Sequence, residues 1–252
     1  MARIVLVHGA FSGAWVWEPV VGELERAGHS VERFDLPGSG DDETPIEDVT
    51  LDAYAERICE QLATGDEPAV LVGHSMGGVA ITQAAGRCPG RIALLVYVAA
   101  FMPRHGQSLL ELTKLPEGEG DQVQANMVVH GEPPAATLSG EGARIACYGC
   151  CDDNRVAWAT ERMRPQAVLP FATPVDLGGS PNPQVPAAYV LCTEDQAIPP
   201  ALQRRMSSEN PCLEVIEIDT DHSPFFSATA ELVAALDQLA RKASEPAPAA
   251  SA

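Results

Sequence analysis

An apolar run, Ala69-Val70-Leu71-Val72, passes directly into Gly73-His74-Ser75-Met76-Gly77. A helical pattern of small residues follows from about Met76 to Arg87 and must end before Pro89, because the residue preceding a proline is pushed out of the helical region. A strand that turns at once into a helix leaves little room for large side chains at the corner. It also calls for a sheet whose strands are joined by helices. The serine then stands at a tight strand-to-helix turn above a helix N-terminus, where free N–H groups favour a developing anion.

The same alternation runs through both ends of the chain. Arg3–His8 reads as a first strand. Pro19 suits a first helical turn, and Val20, Val21, Leu24 and Ala27 make a helical stripe that Gly28 stops. Ser30–Asp35 is a second strand, and Thr50 is an N-cap for a helix over 51–63. Ile92–Val98 is nearly all apolar, as a strand covered on both faces should be. Later, Ala187–Cys192 and Leu213–Ile218 read as strands, and Pro200–Met206 and Ala228–Arg241 as helices. The predicted fold class is α/β, a mostly parallel, doubly wound sheet. Residues 1–100 and 187–242 would form its core. Residues 101–186 break the pattern with Pro, Gly and short helical pieces and show no convincing strand. So long a structureless loop is improbable in a compact domain, and the segment is read as an inserted cap of small helices. Residues 243–252 read as a flexible tail.

Composition narrows the function. A chain of 252 residues suits one domain with an insertion rather than a string of modules. Its formal charge of −19 argues against nucleic acid and against anionic membrane surfaces. No apolar run approaches the roughly 20 residues that span a bilayer, and Met1-Ala2-Arg3 leads into a strand rather than a secretory leader. The seven cysteines look too few and too scattered for a disulfide framework. A reduced, cytoplasmic setting is therefore expected. Cys147-x-x-Cys150-Cys151 has no second pair and no histidines at ligand spacing, so no metal is expected and the thiols read as cap residues.

Ser75 fits the G-x-S-x-G pattern of an exposed nucleophile. A serine needs a base. Of the six histidines, His222 lies between the last predicted strand and the last helix, at the sheet's C-terminal edge. His8 reads as structural, His29 as an exposed helix-end residue, His74 as pointing away from Ser75, and His105 and His130 as cap residues. The acid that orients the base should follow a strand and precede His222. Asp195, in Thr193-Glu194-Asp195-Gln196, is the choice and Glu194 the rival; Asp219 and Asp221 read as loop-capping acids. The two N–H donors of an oxyanion hole are expected from Met76, directly after the serine, and from Ala10, in the loop after the first strand.

These motifs make a resemblance specific. His8-Gly9-Ala10, Gly13-Ala14-Trp15-x-Trp17, Gly73-His74-Ser75-Met76-Gly77-Gly78, Val98-Ala99-Ala100-Phe101-Met102-Pro103, Cys192-Thr193-Glu194-Asp195 and Asp221-His222-Ser223-Pro224 stand at both ends of the chain. Together they resemble the plant methylesterase/hydroxynitrile lyase family of α/β-hydrolases and its bacterial relatives, with only a loose match in the cap. The resemblance implies a triad of Ser75, Asp195 and His222, oxyanion donors at Ala10 and Met76, a helical cap over a mostly apolar pocket, and no cofactor. Lyases of that family carry a threonine after the first-strand histidine and a lysine after the catalytic one. Gly9 and Ser223 stand there instead and look like the esterase branch.

Phe11, Phe101, Met102, Tyr148 and Trp158 are the candidate pocket residues, with Met127, Met163 and Phe171 as further candidates. Trp15 and Trp17 read as packing under the oxyanion loop. Asp41-Asp42-Glu43 and the acidic stretch from Glu117 to Asp121 read as solvated loops. The expected function is a serine carboxylesterase acting on small, mostly apolar esters, methyl esters among them. Its partner would be a small-molecule ester, with neither nucleic acid nor membrane, and a homodimer is left open. A lyase, a decarboxylase or a tailoring enzyme on the same frame is the alternative, and a ligand-binding protein without turnover is a third.

Overall fold

A computed structural model describes residues 1–244. Six parallel strands form the central sheet: β1 (Arg3–Val7), β2 (Ser30–Arg33), β3 (Ala69–His74), β4 (Ile92–Val98), β8 (Ala187–Cys192) and β9 (Val215–Ile218), in the spatial order β2-β1-β3-β4-β8-β9. Every residue of β3 and β8 is buried, which is why these strands read as unbroken apolar runs. Side chains alternate across the sheet and split into two cores. Ile4, Leu6, Val70, Val72, Val96 and Val190 pack with α1 (Glu18–Arg26) and α11 (Thr229–Ala243). Val5, Val7, Leu71, Tyr97 and Leu191 pack with α2 (Leu51–Ala63), α3 (Gly77–Arg87) and α9 (Pro200–Glu209). Each fully buried aliphatic side chain contributes about 1.5–3 kcal/mol. Thr50 caps α2 as predicted, its Oγ1 accepting from Ala53 N–H at 2.9 Å.

Between β4 and β8 lie the short helices α4 (Leu109–Leu112), α5 (Gln122–Asn126), α6 (Gly140–Cys147), α7 (Asp153–Thr160) and α8 (Leu169–Ala172). This stretch departs from the all-helical expectation. It also holds an antiparallel sheet of β5 (Met127–His130), β6 (Ala135–Leu138) and β7 (Gln166–Ala167), with Met127 opposite Leu138 and Ala136 opposite Gln166. Val128 and Val129 of β5 are both exposed, so the sequence carries no in-and-out alternation from which a strand could be recognised.

Three further expectations change. Cys59 and Cys88 form a disulfide although they lie 29 residues apart, because α2 packs on α3 and brings their Cα atoms to 6.1 Å. The cysteines, read as too few and too scattered for a disulfide framework, nevertheless form this one bond, and it removes the ground for inferring a reduced compartment. His29 is buried, not exposed: Nδ1 accepts from Ala2 N–H at 3.2 Å and Nε2 donates to Asp237 at 2.7 Å. Of the predicted tail, Ala243 ends α11, and residues 245–252 lie outside the described residues. No helix among the described residues is long and apolar enough to cross a membrane.

Candidate active site

Ser75 sits between β3 and α3 with φ of +53°. This left-handed conformation costs a non-glycine residue of order 1–3 kcal/mol and persists only where the surroundings impose it. Here the Ser75 N–H donates to Val98 O at 3.3 Å, while its carbonyl accepts from Gly78 N–H and Phe101 N–H at 3.0 and 3.1 Å. Two glycines make the close packing feasible. A Cβ on Gly78 would come within 2.1 Å of Phe101 O, and one on Gly9 within 2.8 Å of Ser75 Cβ.

His222 lies in the loop between β9 and the short helix α10 (Pro224–Ser227) and is almost wholly buried. Its Nδ1 donates to Asp195 Oδ2 at 2.7 Å. The carboxylate can only accept, so the ring proton sits on Nδ1 and the basic lone pair on Nε2. Burial alone would lower the His222 pKa, but the charge and hydrogen bond of Asp195 outweigh it and hold the pKa above the ordinary histidine value. Asp221 and Asp121 add in the same direction.

Asp195 is fixed by the turn after β8. Its Oδ1 accepts from Ala197 N–H at 2.7 Å and Ile198 N–H at 2.9 Å, and its Oδ2 also accepts from Gln203 Nε2 at 2.9 Å. Gln203 is a supporting residue that sequence reasoning missed, since nothing local marks a buried glutamine on α9. Glu194, the rival acid, lies beside the Cys150 thiol, with Oε2 3.3 Å from Sγ. His74 has a task too: its Nε2 donates to the His222 carbonyl at 2.8 Å. Burial, then the nearby His222 charge, hold His74 well below the usual histidine pKa, so it stays neutral. His8 is likewise a neutral strut, its Nδ1 donating to Gly9 O at 2.8 Å while its Nε2 accepts from Leu36 N–H at 3.0 Å.

Ser75, His222, Ala10 and Met76 line one cavity. Neither the Ala10 nor the Met76 N–H donates to an acceptor among the described residues. Much of the rest of the lining comes from the segment between β4 and β8 and is mainly apolar, with Leu109, Val123, Met127, Tyr148 and Phe171. Of the predicted pocket residues, Phe11, Phe101 and Tyr148 line it. Met102 and Trp158 do not. Met102 is buried behind the wall, its N–H meeting Met206 Sδ at 3.4 Å. Trp158 stacks edge-on against Trp15 and Phe226 at 5.3 and 5.9 Å. Among the further candidates, Met127 and Phe171 line the cavity and Met163 does not.

Two residues read as bland also lie there. Cys147 lines the cavity, its thiol pushed well above the usual pKa by burial and then by Asp195, so it stays neutral. Asp121, expected in a solvated loop, lines it as well. Asp221 joins the two regions: its Oδ2 accepts from Cys150 N–H of the insertion at 2.7 Å and its Oδ1 from Ser223 N–H at 3.0 Å. Among the described residues, no group of three or more His, Cys, Asp or Glu is placed to hold a metal ion.

A serine at a strained strand-to-helix turn, a parallel sheet and an Asp-held histidine define a class of protein. The alpha/beta hydrolase family model matches residues 4–236, and the chain belongs to that family. Within it the chain is methylesterase-like: it is 34% identical over 252 residues to Methylesterase 7 of Arabidopsis thaliana, spanning 95% of this chain and 96% of that one. Its fold is similar to that of polyneuridine aldehyde esterase, with a TM-score of 0.82, 27% identity and coverage of 95% of this chain and 99% of the other. It is also similar to tomato methylketone synthase I complexed with 2-tridecanone, with a TM-score of 0.85, 27% identity and coverage of 96% and 99%.

Proposed function

We propose that the protein is a serine carboxylesterase for small, mostly apolar esters, with methyl esters as the first class to test. The observation that carries this reading is the left-handed Ser75 sharing an apolar cavity with a histidine whose Nδ1 is held by a buried carboxylate. The relatives' names, methylesterase and aldehyde esterase, point the same way.

Ser75 Oγ attacks the ester carbonyl carbon while His222 Nε2 takes its proton. Asp195 holds the ring and stabilises the imidazolium. The N–H groups of Ala10 and Met76 receive the negative oxygen of the tetrahedral intermediate, each worth roughly 10²–10³ in rate. The intermediate collapses, the bond to the alcohol oxygen breaks, and His222 protonates that oxygen. Water then enters, gives a proton to His222 and attacks the acyl-enzyme. The second intermediate releases the acid and returns the proton to Ser75. The insertion, residues 101–186, acts as the cap that excludes water and chooses the substrate.

Phosphonate labelling combined with Ser75→Ala tests the reading. The wild type should be labelled at Ser75, and Ser75→Ala should lose ester turnover by roughly 10⁴-fold or more. Full turnover in Ser75→Ala overturns it. A decarboxylase reading draws on the likeness to methylketone synthase I. Against it, no lysine or arginine lines the cavity among the described residues to hold a substrate carboxylate.

A further inference from the structure

The mechanism above draws no charge from the insertion, yet the insertion places one in the cavity wall. Asp121 lines the cavity together with Ser75 and His222. The chain holds it from both sides. Its own N–H donates to Gly118 O at 3.3 Å, and the N–H of Gln122 donates to Gln196 O at 2.8 Å, one residue beyond Asp195. Asp121 Oδ1 caps α5 by accepting from Gln124 N–H at 3.0 Å. Its Oδ2 has only a 3.4 Å contact with the Gln124 side-chain amide. Among the described residues Asp121 forms no ion pair with a lysine or arginine. Burial pushes its pKa above the usual carboxylate value, and the hydrogen bonds from Gln124 and Val123, followed by the His222 charge, oppose this only in part. Among the described residues the cavity lining includes the apolar Leu109, Val123 and Met127 but no lysine or arginine that could pair with the charge.

A half-buried carboxylate that accepts only from Gln124 and Val123 and has no lysine or arginine partner gains from a cation brought in by the ligand. An anionic ligand would meet Asp121 in a cavity lined, among the described residues, by no lysine or arginine, in a chain whose formal charge is −19. We propose that Asp121 sorts substrates by charge: the favoured ester carries an ammonium group away from its scissile carbonyl, and an ester carrying a carboxylate there is rejected. The proposal rests on the esterase reading above and names the substrate class of that same site.

Three methyl esters of matched size, bearing a terminal ammonium, hydroxyl or carboxylate, test it. In the wild type kcat/KM should fall in that order. Asp121→Asn should shrink the ammonium-to-carboxylate ratio at least tenfold, mainly through KM. Should Asp121→Asn fail to fold, the wild type alone decides: a primary alkylammonium should inhibit turnover of the hydroxyl ester at least tenfold more strongly than the alkanol of the same size. A wild type without charge preference, an Asp121→Asn that keeps the ratio, or equal inhibition by the two additives overturns the proposal. Ser75→Ala separates the two claims. Full turnover in that variant removes the esterase reading itself, whereas its loss alongside a charge-blind wild type removes only the role of Asp121.

Discussion

The C-terminal edge of the parallel sheet and the segment between β4 and β8 both line one cavity, and they do so differently. At the sheet edge, backbone geometry places the chemistry. Ser75 is forced into a left-handed turn, Gly9 and Gly78 stand where a Cβ would collide, and Asp195 is held by two main-chain N–H groups and Gln203. In the insertion, helices of four to eight residues and a small sheet deliver individual side chains to a wall. Reactivity needs placement to a fraction of an ångström, which rigid elements supply. Selection needs a surface that can vary side chain by side chain without disturbing the sheet.

Several measurements would break or sharpen that contrast. The largest effect is expected at the sheet edge. Asp195→Asn keeps the shape but offers an amide to His222 Nδ1, so the ring can take the wrong tautomer. A loss in kcat of roughly 10⁴ is expected with KM little changed; a loss under tenfold would show that the edge does not depend on this contact. The pH profile comes next. The base must be neutral, and Asp195 holds the His222 pKa above 6.5. The acid limb of kcat/KM should therefore have its midpoint above 6.5 and fall tenfold per pH unit below that midpoint. A midpoint well under 6.5 would show that the carboxylate's charge does not reach the ring.

The insertion should respond in KM. Phe171 lines the cavity and is 5% exposed. Phe171→Ala should raise KM for an apolar ester about tenfold, equivalent to about 1.4 kcal/mol of lost contact, with kcat within a few-fold of wild type. The smallest kinetic effect is expected from Trp158→Ala, because that ring packs on Trp15 and Phe226 outside the cavity. Stability measured in denaturant should fall by about 2 kcal/mol while KM moves less than about twofold. A KM shift as large as that of Phe171→Ala would mean that the layer behind the wall also selects.

The two regions were also unequally legible in the sequence. Ile92–Val98 and Ala187–Cys192 are strands with the predicted ends, and α2 begins after Thr50 as its cap and apolar stripe require. Such elements announce themselves through local periodicity and capping. The insertion has no comparable signal. β5 exposes its valines, and the aromatic side chains of 101–186 look alike in sequence whether they face the cavity or, like Trp158, one another. The Cys59–Cys88 bond was hidden because it depends on how α2 lies against α3.

By itself the sequence determined the α/β alternation, the serine corner and the loops that carry Asp195 and His222, since each follows from hydrophobic period, turn chemistry and chain order. Only the tertiary structure decided that Gln203 braces Asp195, that His74 holds the His222 carbonyl, and that Asp121 faces the cavity. Those facts join residues far apart along the chain, and such distances are set by the packing of whole elements rather than by any residue's neighbours in sequence.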